Sequence, residues 1–457
     1  MSHSDTNAIR DAALRPLEET GRGYWTLLTV IGLITIWGLV AWGYQIANGL
    51  QVTGYSNRVF WGTYETNLVT FIGFSYGGAL VSAILRLTGA EWRSPITRLA
   101  EATALVALLI GAIFPIIHLG RPERLVEMFY RPNFSSPLMW DLVAVMTYLF
   151  ATIIFLYLPL IPDFGIARDI YASRGGPSWR VRLYRTLSLG WQDTPAQRRL
   201  VEWGTGLMAV MIIPVAVMVH SVLSWAFALS PRDGWHSTIF APYFVIAALY
   251  SGVATVILVV AAFRRAYRLQ DFIKSKHFQY LGLIMLTLGV TYLYFTFSEF
   301  MTEGYSDTRA AIELLGLMLQ YRFAPLFWSF VAAGVVIPVL LVALPKTRTI
   351  AGVTTASALV VVSMWLKRFL IVVPAQTLSL MPSPLAAVYK PSWVEWSITT
   401  GAAAGIPLLL MLLFRVFPIL AIWEMEHVGE AHAAALPSVA GAQAAGIASF
   451  EPVRGDD

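Results

Sequence analysis

The chain has 457 residues, of which 57% are hydrophobic, 13% aromatic and only 13% charged. Soluble globular domains carry about 25% charged residues, so this composition excludes an ordinary soluble enzyme and favours lipid as the solvent. The net charge of +5 comes without basic runs interleaved with aromatic residues, so a nucleic-acid partner is not indicated.

Ten apolar stretches of about 20 residues follow along the chain, each long enough to cross the hydrocarbon core of a bilayer. Their predicted limits are 24–48, 64–86, 99–118, 137–161, 204–230, 239–262, 278–301, 323–345, 350–373 and 396–421. The fold class is therefore predicted to be an all-α integral membrane protein with about ten transmembrane helices. Residues 1–23 are predicted to form a polar N-terminal segment, 24–421 the membrane domain and 422–457 a flexible tail.

The positions of lysine and arginine predict how the spans are oriented, because cytoplasmic loops carry an excess of positive charge. Of the 32 basic residues, 21 fall on the side of both termini, eight on the other side and three inside spans. We therefore expect both termini to be cytoplasmic.

A short repeat suggests how the spans are grouped. SPLMWD, residues 136–141, opens the fourth span, and APLFWS, residues 324–329, opens the eighth. The two motifs are 188 residues apart, and the same offset pairs spans two to five with spans six to nine. This pairing predicts two four-helix bundles at about 64–230 and 239–373, plus flanking helices.

The chain contains no cysteine, so it offers no thiolate for an iron–sulfur cluster and no attachment site for c-type haem. Haem b would need two axial histidines at matching depth, and only His118 and His220 lie deep enough to be considered. We expect no haem, iron–sulfur cluster or metal in this chain.

Ionisable residues inside the spans are functional candidates, because each costs at least about 2.5–3.5 kcal/mol to insert. Most of them fall in the half of the membrane opposite the termini: Glu65, His118, Asp141, His220, Glu299, Lys367 and Arg368. A histidine and a carboxylate at a membrane edge suit a quinone headgroup, whose oxidation releases protons that both groups can accept. For His220 a structural hydrogen bond is the alternative, and for Lys367 and Arg368 it is snorkelling to the headgroups.

Seven motifs along the chain are more specific than hydropathy: AILRLTGAEWRSPITRLAEA (83–102), HLGRPE (118–123), PNFSSPLMWDLVAV (132–145), YLPLIPDFGIARD (157–169), HSVLSWAFA (220–228), GWHSTIFAPYFV (234–245) and LKRFLIVV (366–373). These motifs resemble the NrfD-like, polysulfide-reductase membrane-subunit family, and more closely the quinol-oxidising C subunit of bacterial alternative complex III. The resemblance covers all ten spans.

This resemblance implies an integral subunit of the bacterial inner membrane that oxidises menaquinol near the outer face, in a respiratory or photosynthetic electron-transport chain. Electrons would pass to a periplasmic iron–sulfur subunit and then to multihaem and monohaem c-type cytochrome subunits, beside a second homologous membrane subunit. The family's quinone-site histidine and aspartate fall on His118 and Asp141, Arg121 shares the HLGRP motif, and the late basic position falls on Arg368.

The proposed quinone-binding set is His118, Arg121, Asp141, Tyr76 and Glu65, with His118 and Asp141 as the catalytic pair. Tyr76 stands where the family pattern has histidine, and Ala226 where it has an acid. Any proton translocation would then use His220, Glu299, Lys367 and Arg368. Two alternatives stay open: a quinone-reactive anchor of a molybdenum reductase of the polysulfide type, and a proton-coupled transporter.

Overall fold

The computed structural model describes residues 3–378 and 388–427, and within these ranges the chain is helical and contains no β-strand. Among the described residues ten helices are long and apolar enough to cross a membrane, the number predicted. We name them α1 (Arg22–Asn48), α2 (Thr63–Leu87), α3 (Glu91–His118), α4 (Pro137–Tyr157), α5 (Pro195–Ala228), α6 (Phe240–Ala266), α7 (Ser275–Tyr305), α8 (Ala324–Ala343), α9 (Ile350–Thr377) and α10 (Trp393–Leu413). The predicted all-α, multi-pass membrane fold is confirmed.

Two helix ends differ from the limits predicted from hydropathy, one beside a capping residue and one before a proline. Helix α5 begins at Pro195 rather than 204, because the Thr194 hydroxyl caps it by accepting a hydrogen bond from the backbone N–H of Gln197 at 3.3 Å. Helix α10 ends at Leu413 rather than 421, and Pro418 follows within the next few residues. The apolar segment after α10 therefore belongs to a packed turn.

The helices pack as two rings of four. In the first ring α2 contacts α3, α3 contacts α4, α4 contacts α5, and α5 returns to α2. The second ring repeats this order with α6, α7, α8 and α9. Helices α1 and α10 pack against each other, and α10 joins them to the first ring through α3 and α2.

The two rings meet along α2 and α6, where the backbones touch at two glycines. A Cβ added to Gly77 would lie 2.2 Å from the backbone of Gly252, and one added to Gly252 would lie 2.4 Å from that of Gly77. Close backbone approach of this kind is how small residues bring membrane helices together. It places the middle of α2 at the centre of the protein, where 89% of its apolar stretch is buried, against 11% for α1.

We call the two sides of the membrane the terminal side and the site side, after the residues found on each. The terminal side carries the N-terminal helix His3–Glu18, which packs on the segment after α10: Arg10 pairs with Glu426 at 2.7 Å. The site side, opposite, carries His118 at the end of α3. Residues 422–427, predicted as the start of the flexible tail, are instead helical and packed, with Glu424 only 5% exposed. The rest of that predicted tail, 428–457, lies outside the described residues.

Candidate functional site

A carboxylate–histidine pair lies on the site side, between the first turn of α2 and the last residue of α3. Glu65 Oε1 lies 3.0 Å from Nδ1 of His118, in an ion-pair contact rather than an aligned hydrogen bond. Glu65 Oε2 accepts a hydrogen bond from the backbone N–H of Gly62 at 2.8 Å. The His118 side chain is 27% exposed and that of Glu65 10%, so the histidine is the accessible partner.

Tyr55 lies at the centre of the aromatic surroundings of this pair. Its hydroxyl donates to Glu65 Oε2 at 3.3 Å, and its ring meets that of His118 edge-on with centroids 5.2 Å apart. The ring also stacks on Tyr389 at 5.8 Å. Burial and then the nearby Glu65 carboxylate raise the pKa of Tyr55, so its hydroxyl stays protonated and remains a donor.

A second carboxylate, Glu395 at the start of α10, holds the surrounding loop in place. Its Oε1 accepts from the Thr63 hydroxyl at 2.6 Å and from the Tyr389 hydroxyl, and its Oε2 accepts from the backbone N–H of Gly54 at 2.6 Å. Burial and the Glu395 charge raise the pKa of Tyr389, which keeps that hydroxyl protonated. Because every oxygen of Glu395 is occupied and the residue is fully buried, it positions the site rather than reacting in it.

Asp141, the predicted catalytic partner of His118, lies in α4, which packs against α3. Its Oδ1 is buried and has no hydrogen-bond partner among the residues that the structure describes. Within the same residues there is no polar contact between Asp141 and His118; the carboxylate next to His118 is that of Glu65. An unpartnered buried carboxyl oxygen is a group that can accept a proton or a ligand hydroxyl.

Arg121 follows α3 directly and is exposed, at the start of a short turn, Pro122–Val126. The segment beyond this turn presents large exposed aromatic side chains, Phe129, Tyr130 and Phe134. Arg121 and these exposed aromatic side chains thus lie in the one segment that links α3 to α4.

Three further predicted residues, Tyr76, His220 and Arg368, meet between the two rings. The rings of Tyr76 and His220 lie 4.5 Å apart, and Arg368 donates from Nη2 to the Ser251 hydroxyl at 2.8 Å. In the described part of the chain the Tyr76 hydroxyl, both ring nitrogens of His220, and Nε and Nη1 of Arg368 have no hydrogen-bond partner, although all are buried. Buried polar atoms are normally paired, so this cluster is a place for water or for another polar ligand.

Lys367 and Glu299 lie elsewhere, at a small cavity of the second ring. The Lys367 ammonium lies 5.1 Å from the ring centre of Phe300 and within 6.0 Å of Tyr243, Phe327 and Phe330. Both Lys367 and Glu299 line a cavity of about 40 Å³, room for about one water molecule. The Ser237 hydroxyl donates to Glu299 at 2.8 Å. The seven predicted intramembrane residues therefore divide among separate clusters.

The residue pattern of the sequence does not single out Tyr55, Tyr389 or Glu395 as parts of the site. The two tyrosines lie in loops, where hydropathy carries no signal. Glu395 does carry a sequence signal, because Ser392 and Glu395 form a capping box, S-x-x-E, at the start of α10. Within the described residues no group of three or more His, Asp or Glu side chains is arranged to hold a metal ion.

These features define a class of protein: an all-helical, multi-pass membrane protein with a carboxylate–histidine pair at one membrane edge. The family model for polysulphide reductase, NrfD, matches residues 51–379, which span α2 to α9 and include this pair. The chain belongs to the NrfD polysulphide reductase family.

Three curated relatives match the chain over nearly its whole length. A protein assigned as the membrane C subunit of a dimethyl sulfoxide reductase, from Halobacterium salinarum, is 28% identical over 92% of this chain and 96% of its own. The C subunit of the selenate reductase of Mesobacillus selenatarsenatis is 24% identical over 90% and 97%. The Hdr-like menaquinol oxidoreductase integral membrane subunit of Archaeoglobus fulgidus is 24% identical over 89% and 96%.

Proposed function

We propose that this chain is the quinol-oxidising membrane subunit of an electron-transfer complex, and that menaquinol reacts at the Glu65–His118 pair. The observation that carries the proposal is the 3.0 Å contact between these residues at the accessible edge of the bundle. The relative from Archaeoglobus fulgidus, a menaquinol oxidoreductase subunit, supports the choice of substrate.

The proposed chemistry begins with proton transfer from the quinol. The Glu65 carboxylate holds Nδ1 of His118, which leaves Nε2 to accept a proton from one quinol hydroxyl. Glu65 then stabilises the imidazolium that forms. Asp141, with its unpartnered Oδ1, receives the second proton, and the two electrons released with the two protons leave for a partner subunit.

The proposal also specifies which kind of partner subunit accepts the electrons. Zero cysteines leave this chain without thiolate ligands, so the electrons need a metal centre carried by another chain. The alternative complex III resemblance favours c-type cytochrome subunits, an iron–sulfur subunit and a second homologous membrane subunit. Exposed Arg121 and the aromatic patch Phe129, Tyr130 and Phe134 would then form part of the docking face.

A second candidate is the same quinol site serving a terminal reductase. It is favoured by two relatives that are membrane subunits of dimethyl sulfoxide and selenate reductases. The two candidates share the reaction at His118 and differ in the acceptor. Identifying the proteins that co-purify with the chain distinguishes them: c-type cytochromes support the first and a molybdenum-containing subunit the second.

The proposal includes a route for protons through two interior clusters, one of Tyr76, His220 and Arg368 and one of Lys367 and Glu299. The unpartnered atoms of Tyr76, His220 and Arg368 would be bridged by water, and the cavity beside Lys367 and Glu299 holds room for one more. His220→Phe should therefore lower proton translocation in vesicles and leave quinol oxidation unchanged. Equal loss of both activities would contradict a separate proton route.

The central test uses His118→Asn and Asp141→Asn in the intact complex. General acid–base groups contribute about 10²- to 10⁴-fold, so each variant should lower menaquinol-dependent reduction of the partner by that amount. Glu313→Gln is the control, because Glu313 is a half-exposed carboxylate in the surface helix Arg309–Leu319, and its ion pair in the described part of the chain is with Arg309. Unchanged activity in both site variants would overturn the assignment.

A further inference from the structure

A groove opens on the terminal side of the protein, between α1, α6 and α10. Its volume is about 600 Å³. Inside the membrane its walls are apolar and come from all three helices: Leu27 and Ile31 of α1, Ala262 and Phe263 of α6, and Met411 of α10. It lies far from His118 and takes no part in the proposed quinol chemistry.

The mouth of the groove is positively charged. Arg15, from the N-terminal helix, and Arg268, just after α6, both line it, and the carboxylate of Glu19 lines it as well. Arg15 donates from Nη1 to the Tyr267 carbonyl at 3.3 Å. Neither arginine forms an ion pair with any residue that the structure describes, and Arg268 is exposed. Two cations against one carboxylate leave an excess of positive charge at the level of the headgroups.

The depth of the groove fits one end of a lipid. From Gly21, the residue before α1, to Ile31 its lining rises by ten residue steps, or about 15 Å along the helix, which is about half of the hydrocarbon core. Gly21 and Gly23 have nothing within 4 Å of the position of a Cβ, so the mouth is open beside them. A compact soluble ligand would leave the apolar walls unfilled.

We propose that this groove binds one anionic phospholipid, with an acyl chain along the apolar walls and the phosphate between Arg15 and Arg268. Basic pockets between transmembrane helices are sites for anionic headgroups, and each arginine adds attraction for the phosphate. The charge at the mouth favours an anionic lipid over a zwitterionic one, and over a neutral quinone. The lipid would join the N-terminal helix to α1, α6 and α10.

The test measures which lipid stays on the full-length chain. The protein is purified from nanodiscs of phosphatidylcholine with or without phosphatidylglycerol, and the lipids retained are counted by native mass spectrometry. One phosphatidylglycerol per chain should persist. The double variant Arg15→Gln, Arg268→Gln should weaken its retention about thirtyfold. The matched control, Arg182→Gln with Arg185→Gln, removes two exposed arginines from the neighbouring helix Ser178–Leu187 and should have no effect.

A third variant tests whether lipid binding needs the open groove as well as the two arginines. Ala262→Trp places an indole in the groove and should exclude the lipid while both arginines remain. Equal retention of phosphatidylcholine and phosphatidylglycerol would overturn the proposal. So would loss in the Arg182/Arg185 control, retention in the Ala262→Trp variant, or a bound menaquinone in place of the lipid.

Discussion

Glu65 and His118 come from two different helices and meet end to end, the carboxylate at the start of α2 and the imidazole at the end of α3, with 3.0 Å between Oε1 and Nδ1. Helix dipoles favour this arrangement, because an N-terminus stabilises an anion and a C-terminus a cation. Proton uptake by His118 is therefore assisted both by the neighbouring carboxylate and by the helix that carries the histidine.

The first prediction concerns the positioning role of Glu65. Glu65→Gln removes the charge that stabilises a protonated His118, and quinol oxidation should fall about 10- to 100-fold. Glu65→Gln combined with His118→Asn should be no slower than His118→Asn alone, because the two residues act as a unit. Steady-state kinetics of the four proteins measure this coupling.

A control separates this effect from loss of the loop. Glu395→Gln changes the same group at the equivalent capping position of α10, and among the described residues Glu395 forms no hydrogen bond or ion pair with His118. It should lower the unfolding temperature and leave the coupling between Glu65 and His118 intact. Additive effects of the Glu65 and His118 substitutions would contradict a working pair.

The second prediction separates the hydroxyl of Tyr55 from its ring. Tyr55→Phe removes the hydrogen bond to Glu65 and should cost about 1 kcal/mol of stability, with activity lowered less than tenfold. Tyr55→Ala also removes the ring contacts with His118 and Tyr389, and activity should fall further. Thermal unfolding and quinol kinetics of both variants test this order. Equal activity of the two would show that the ring has no part in the site.

The sequence predicts the spans well because a bilayer imposes a single strong requirement, about 20 apolar residues per crossing. It also identifies Glu65 and His118 individually, since each is an ionisable group at a membrane edge. It does not predict that they touch, because that contact depends on how α2 and α3 are turned toward each other. The sequence likewise predicts that His118 and Asp141 lie at the same edge of the membrane, but not which way α3 and α4 turn these side chains. The depth of a residue in the membrane follows from its position along the helix, whereas the neighbour that its side chain faces depends on how the helices pack.

The third prediction concerns the crossing of α2 and α6. Gly77→Val places a branched side chain against the backbone of Gly252, which cannot move without separating the two rings. Overpacking of this kind costs about 1–3 kcal/mol or more, so the unfolding temperature in detergent should fall and the yield of folded protein with it. Gly32→Val, also in a membrane helix but with nothing within 4 Å of a Cβ, is the control and should be tolerated. A Gly77→Val protein as stable as the wild type would contradict the backbone contact.

The fourth prediction concerns Glu424, which anchors the segment after α10 on the terminal side. Burial acts to raise the pKa of Glu424, but the guanidinium groups of Arg86 and Arg93, which both pair with it, and of Arg98 outweigh burial and lower that pKa to about 2. A carboxylate whose pKa is lower in the folded state than in the unfolded state stabilises the fold above the unfolded pKa of about 4.3. That stabilisation is lost as the pH falls from about 4.3 toward 2.

Glu424→Gln should therefore destabilise the protein at neutral pH by about 3–5 kcal/mol, because it leaves two largely buried arginines without their carboxylate. The difference in unfolding temperature between the wild type and Glu424→Gln should be constant near pH 7 and shrink as the pH is lowered below about 4.3. Glu426→Gln is the matched control: it removes an acid two residues away that pairs with the more exposed Arg10, and its effect should be smaller. A Glu424→Gln deficit that stayed constant down to acid pH would show that packing, and not charge, holds this segment in place.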